Sequence, residues 1–260
     1  MILFFKKYKD TNNGSDWSYN SNCLAIDDNF SNLKINIPER KINEIEIYGQ
    51  GAVITPTPFF ENRKISFTYR FKKNNNTIFT NQKDNLFLNW FFNTSDDIYL
   101  VRNTEKGLQK IKGVFKINAN EKYKSYAISD EIDIQFITED AFFESVIEKS
   151  YTANFTTDEV TINFVNNGFF VSFVIEYNNA NYVPDVSFYY NNEFFKIYLS
   201  ESQLKMFSFD FKSFKFYKNG INFYPTFTGS PFFLQNGSGQ MIIKSTGRGN
   251  VTLKFVERFI

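Results

Sequence analysis

At 260 residues the chain can hold one large or two ordinary domains, each able to bury a core without covalent staples. Its formal net charge of +1 sets up no global field for nucleic acid or anionic lipid, and the absence of histidine removes the commonest general base and metal ligand. Cys23, the single cysteine, allows neither an intrachain disulfide nor a Cys-pair zinc or redox site, and reads as an incidental free thiol.

The opening Met1-Ile2-Leu3-Phe4-Phe5 precedes Lys6-Lys7, the wrong order and too short a run for a secretory signal. No stretch of about 18 uncharged apolar residues follows, so no helical membrane span is expected. Asn12-Asn13-Gly14-Ser15 reads as a turn or linker. Strand-like alternation then dominates: Ile45 and Ile47 between Glu44 and Glu46, and Ile65, Phe67, Tyr69 and Phe71 against Lys64, Ser66, Thr68 and Arg70. Such stretches predict antiparallel sheets with one wet face. Asn74-Asn75-Asn76 marks a loop tip.

One helix is predicted, at about residues 80–92. Thr80 and Asn81 open it, Asp84 lies in its first turn, and Leu86, Phe87, Trp90 and Phe91 share a flank. Two strands follow, Asp97 to Arg102 and Gln109 to Ile117, about the turn Asn103-Thr104-Glu105-Lys106-Gly107, and another carries Ile132, Ile134 and Phe136. Between Thr138 and Thr157 the alternation lapses, which puts a domain boundary near residue 150 and divides the chain into 1–150 and 151–260.

The second half strings together short alternating runs: Val160, Ile162, Phe164; Phe169, Val171, Phe173, Ile175; Phe195, Ile197, Leu199; Phe207, Phe209, Phe211; Phe214, Phe216; Met241, Ile243; and Val251, Leu253, Phe255. Many short strands separated by turn residues predict a sandwich or jelly roll. Asn219-Gly220 signals a tight hairpin, and Gly247-Arg248-Gly249-Asn250 is expected to turn a final one. The 34 Phe and 15 Tyr suit both sandwich cores and the centres of protein interfaces.

Candidate chemistry is thin. Gly247-Arg248-Gly249 lacks the following helix of a phosphate loop, and Gly237-Ser238-Gly239 is not a nucleophile elbow. The acid pairs Asp27-Asp28, Asp96-Asp97, Asp130-Glu131 and Glu139-Asp140 could serve a β-sandwich glycosidase, but each abuts a strand end or turn where acids are ordinarily solvated. No calcium-loop series accompanies them. A lectin-like module is the stronger alternative; both tryptophans, Trp17 and Trp90, fall in the first half, which leaves Tyr182, Tyr189, Tyr190 and Tyr224 as stacking platforms for sugar in the second. No catalytic, cofactor-binding or metal-binding residue is assigned, and no cofactor is expected.

In its order of parts the chain resembles the distal tail proteins of long-tailed bacteriophages. The elements concerned are Arg63-Lys64-Ile65-Ser66-Phe67 opening a strand, the segment from Thr80 to Phe92, the strand pair from Asp97 to Ile117 and the strand from Asp130 to Ile137. In the second half they are Asn166-Asn167-Gly168, Phe216-Tyr217-Lys218-Asn219-Gly220 and Gly247 through Phe255. The resemblance implies a mainly β protein: an N-terminal sandwich- or barrel-like domain with one helix, and a C-terminal galectin-like jelly roll. It also implies a non-enzymatic component of the virion tail tip or baseplate, assembled in the host cytoplasm. Copies would form a ring, expected to be a hexamer, joining the tail tube protein to tip and receptor-binding proteins. DNA would pass through only as cargo, and glycans are a further expected partner.

Overall fold

The computed structural model describes residues 3–27, 30–47, 51–70, 96–117, 131–180, 183–201, 204–211 and 213–260. The expected helix at about 80–92, with Trp90, lies outside them, as do Asn74-Asn75-Asn76. Among the described residues the chain is almost entirely antiparallel β-structure, as the alternation predicts. It divides into two compact units, Met1–Val146 with Ile260, and Ile147–Phe259.

The first unit begins with β1 (Leu3–Lys7), a 3-10 turn (Tyr8–Thr11), β2 (Leu24–Ala25) and β3 (Phe30–Ile35). A two-stranded ribbon follows, β4 (Arg40–Ile47) with β5 (Gly51–Phe60). Then come β6 (Lys64–Arg70), β7 (Ile98–Thr104), β8 (Gly107–Ile117) and β9 (Glu131–Thr138). Hydrogen bonding runs in the order β2-β1-β7-β8-β9-β6-β3. The inner faces of all seven strands feed one cluster that includes Phe5, Phe30, Ile65, Phe67, Leu100, Ile111, Ile134 and Phe136, so the sheet curls around a single core.

Gly113 allows that curl. At this point β8 passes from pairing with β7 to pairing with β9, and a Cβ here would meet the Ile137 carbonyl oxygen at 2.5 Å and the Phe136 ring at 2.7 Å. Only glycine permits so close an approach.

β1 is covered on both faces. Leu3 and Phe5 enter the main core, while Phe4 joins Trp17, Cys23 and Val101 beneath the segment after the 3-10 turn. From Leu3 on, the initial apolar run, read from sequence only as a non-signal, is therefore a buried strand. Its two lysines are buried because each ammonium is held. Lys6 Nζ donates to the Ser18 carbonyl at 2.8 Å, and Lys7 Nζ sits 3.2 Å from Asp96.

β10 (Phe143–Phe155) contains the division between the units. It runs through the stretch where alternation lapses, so that stretch is a strand, contrary to the expectation. The pattern is hidden because inward positions carry polar or small groups: Lys149 forms a 2.6 Å ion pair with buried Glu257, and Ala153 packs on the core.

The second unit continues with β11 (Glu159–Asn166), β12 (Val174–Ala180), β13 (Val183–Tyr190), β14 (Glu193–Glu201), β15 (Leu204–Asp210), β16 (Lys215–Lys218), β17 (Ile221–Phe223), β18 (Thr226–Gly229), β19 (Gly237–Lys244) and β20 (Gly249–Phe259). One sheet has the order β11-β19-β13-β14-β18, the other β17-β16-β15-β12-β20-β10. Between them lies an aromatic core in which Phe209 stacks on Phe216 at 4.2 Å and Phe173 on Phe211 at 3.9 Å.

The Asn219-Gly220 hairpin forms as expected, with both residues at positive φ and Lys218 paired to Ile221. The final hairpin does not. β19 and β20 lie in different sheets, so Ser245 to Arg248 carries the chain across the sandwich, and Gly249-Asn250 already belongs to β20. Both strands point alternate residues into the same core, and periodicity cannot tell pairing from facing. Phe169 departs too: it lies in a bend outside β12 and is partly exposed, while Val171, Phe173 and Ile175 are buried.

Candidate functional site

Asp96, Asp97, Glu131, Glu139 and Asp140, described members of the acid pairs, hold structure. Asp96 bridges Lys7 and Lys9, and hydrogen bonding from Lys9 is the main cause of its carboxyl lying below the usual range. Asp97 and Glu139 converge on Lys112 at 3.0 and 3.2 Å. Glu131 pairs with Arg70, and Asp140 accepts the main-chain amides of Ala141 and Phe142 in a turn. Asp28 and Asp130 lie outside the described residues. Among those described, no three His, Cys, Asp or Glu side chains gather as a metal cluster would require.

Arg248 is likewise committed: its guanidinium meets Asp158 at 2.9 Å and reaches the Thr157 carbonyl, pinning the turn before β11. Ser238 stands on β19 rather than at a strand-to-helix turn. Cys23 is buried beside the Asn20 amide, and burial pushes its thiol pKa up, which leaves little thiolate for chemistry.

The aromatic platforms separate clearly. Trp17 is buried, its indole N–H donating to the Gly14 carbonyl at 2.8 Å with the Lys110 ammonium 4.2 Å from the ring, so it offers no open face. Tyr190 is buried, with its hydroxyl accepting from the Gln235 amide. Tyr224 is 95% exposed, with no surrounding wall to form a site. Tyr182 lies outside the described residues. Tyr189 and Tyr190 both line a cavity, and of the two Tyr189 is the one whose ring is partly open.

That cavity is an open trough of about 1010 Å³ on the outer face of the β11-β19-β13-β14 portion of the second unit. Cross-strand register builds it as two rows. One row runs Ile242, Tyr189 and Phe194, with the last two rings 5.0 Å apart. Two residues along the strands, Asn163 stands directly opposite Gln240, and that row is continued by Asn191-Asn192, the tight turn between β13 and β14. Asn191 and Asn192 adopt positive φ without glycine, a turn that asparagine tolerates.

The trough's open side is fixed at β11. Val165 N donates to the Tyr151 hydroxyl, and its carbonyl accepts from that hydroxyl and, at 2.9 Å, from Lys149. These bonds occupy part of the outer edge of β11. Beneath the floor, the Phe164 ring fills the room left by Gly239, where a Cβ would come within 2.4 Å of it. Sequence reasoning named Tyr189 but missed Asn163 and Gln240, which are far apart in the chain; only the strand pairing makes them neighbours.

No family model matches the chain, and no curated relative does. Among solved structures, the Dit protein of phage SPP1, described as a paradigm of the hub adsorption apparatus in phages infecting Gram-positive hosts, superposes with a TM-score of 0.58. The correspondence covers 100% of both chains at 12% identity. The chain has the fold of a phage Dit protein. Two structures of the phage P2 baseplate in its activated conformation, with Ca and with Sr, are also similar over 100% of both chains, each with a TM-score of 0.44, at 8% and 9% identity. Identity this low carries the Dit fold and nothing finer.

Proposed function

We propose that this chain is a structural hub of a bacteriophage tail tip, a distal tail protein whose copies close into a ring within the virion. The observation that carries the reading is the end-to-end correspondence of its fold with the SPP1 hub protein, both units included. In this reading the first unit forms the ring, which is a hexamer, and the galectin-like second unit projects from it. The ring joins the tail tube to tip and receptor-binding proteins, and the genome passes through as cargo.

The chemistry supports a protein that binds and does not catalyse. Of the acids considered for glycoside cleavage, the described Asp96, Asp97, Glu131, Glu139 and Asp140 are each held by a lysine, an arginine or turn amides, which supports a structural role for them. A cyclic ring needs two complementary patches on each protomer rather than a pocket. Exposed Ile37 and Val114 supply apolar surface on the first unit.

Light scattering on the purified full-length chain across a concentration series tests the reading. The expected result is a discrete oligomer of six copies. A monomer throughout the series would overturn it.

A further inference from the structure

We propose that the trough on the second unit is a binding site for a neutral glycan. Its two rows match the two surfaces of a sugar ring. Tyr189, extended by Phe194, offers an aromatic face to the apolar C–H side. Asn163 and Gln240, roughly 7 Å further along their strands, offer planar amides to the hydroxyl edge. Each amide both donates and accepts, as a hydroxyl does. Both side chains are exposed and make no hydrogen bond to any described residue, so their amides are free to meet a ligand.

Charge narrows the class. Among the residues lining the trough Glu193 is the only acidic or basic one, and the two ammoniums at its rim, Lys149 and Lys244, are each paired with a glutamate, so the lining presents no unpaired cation to a phosphate, sulfate or nucleic-acid backbone. Lys244, 5.4 Å from the Tyr189 ring, is paired with Glu159 at 2.8 Å. At about 1010 Å³ the trough is large enough for more than one sugar residue.

This inference does not depend on ring formation. The test uses the labelled full-length chain on an array of neutral oligosaccharides built from galactose, glucose and N-acetylhexosamines, with sulfated and phosphorylated glycans alongside. At least one neutral class is expected to be retained, with affinity falling tenfold or more in Gln240→Ala and in Tyr189→Ala and unchanged in Tyr224→Ala. Gln240 is exposed, so its variant decides the matter even if Tyr189→Ala fails to fold. Retention of anionic glycans alone, no retention at all, or binding that Gln240→Ala leaves intact would overturn the proposal. Oligomer size measured on the same sample keeps the two readings apart: a ring without glycan binding sinks only the trough, and a glycan-binding monomer sinks only the hub.

Discussion

The two units start from the same aromatic-rich alternation and reach stable cores by different routes. The second unit is closed by rings on rings, with Phe209, Phe211, Phe216 and Phe232 among more than twenty buried side chains in one cluster. The first unit also buries cations. Arg63, 3% exposed, lies near Arg102, and both guanidiniums approach the Phe143 ring, at 5.4 and 3.9 Å. Burial, with the like charge of Arg102 behind it, pulls the Arg63 pKa down to about 10. Its Nε donates to the Ala141 carbonyl at 2.6 Å and Nη1 to that of Asn36 at 3.3 Å, while Nη2 has no partner among the described residues. The centre of the second core is rings on rings, with polar groups such as Asn166 and the Lys149–Glu257 pair beside it, whereas the first core also buries arginine guanidiniums against an aromatic ring, so the two should respond differently to mutation and to pH.

Phe209→Ala should give the largest effect. It removes a ring stacked in the centre of the second unit and should cost about 3–5 kcal/mol, seen as loss of that unit's cooperative melting transition in calorimetry. An effect below about 1 kcal/mol would mean that the aromatic core is loosely packed. Arg63→Ala should destabilise the first unit by about 2–3 kcal/mol, because the Ala141 and Asn36 carbonyls lose their donor. Denaturant titration checks this, and Arg63→Lys should restore little, since an ammonium cannot span both acceptors. Gly113→Ala should cost about 1–3 kcal/mol through the clash with the Ile137 carbonyl.

The smallest effect is electrostatic. Asp96 has a depressed folded pKa, chiefly through the hydrogen bond from Lys9, so its contribution is present above the ordinary carboxylate pKa and lost as pH falls through the depressed value. Asp96→Asn should flatten acid sensitivity of the first unit by at most about 1 kcal/mol, given partly exposed partners. Thermal melts of both proteins between neutral and acid pH would show it. Equal acid sensitivity in both would mean that the bridge contributes nothing.

What the sequence made legible follows from local chemistry. Alternation exposed β6, β9, β11 and β14, and Asn219-Gly220 exposed its hairpin, because in each case the pattern sits within a few residues. β1 was hidden by Lys6 and Lys7, whose burial depends on Ser18 and Asp96 brought in from elsewhere. β10 was hidden by Lys149, which reads as polar until Glu257 is placed beside it. The partition of β19 and β20 between sheets, and the facing amides of Asn163 and Gln240, depend on strand register, which no single stretch contains. Of the candidate site, Tyr189 was visible and the trough around it was not.

The central claim is that this fold serves as a ring at the end of a tail. Electron microscopy of the tailed particle that incorporates the chain tests it most directly. Density for the chain should appear as a closed ring coaxial with the tail tube at its distal end, with the first unit lining the ring. Density elsewhere in the particle, or a single copy at a fibre, would contradict it.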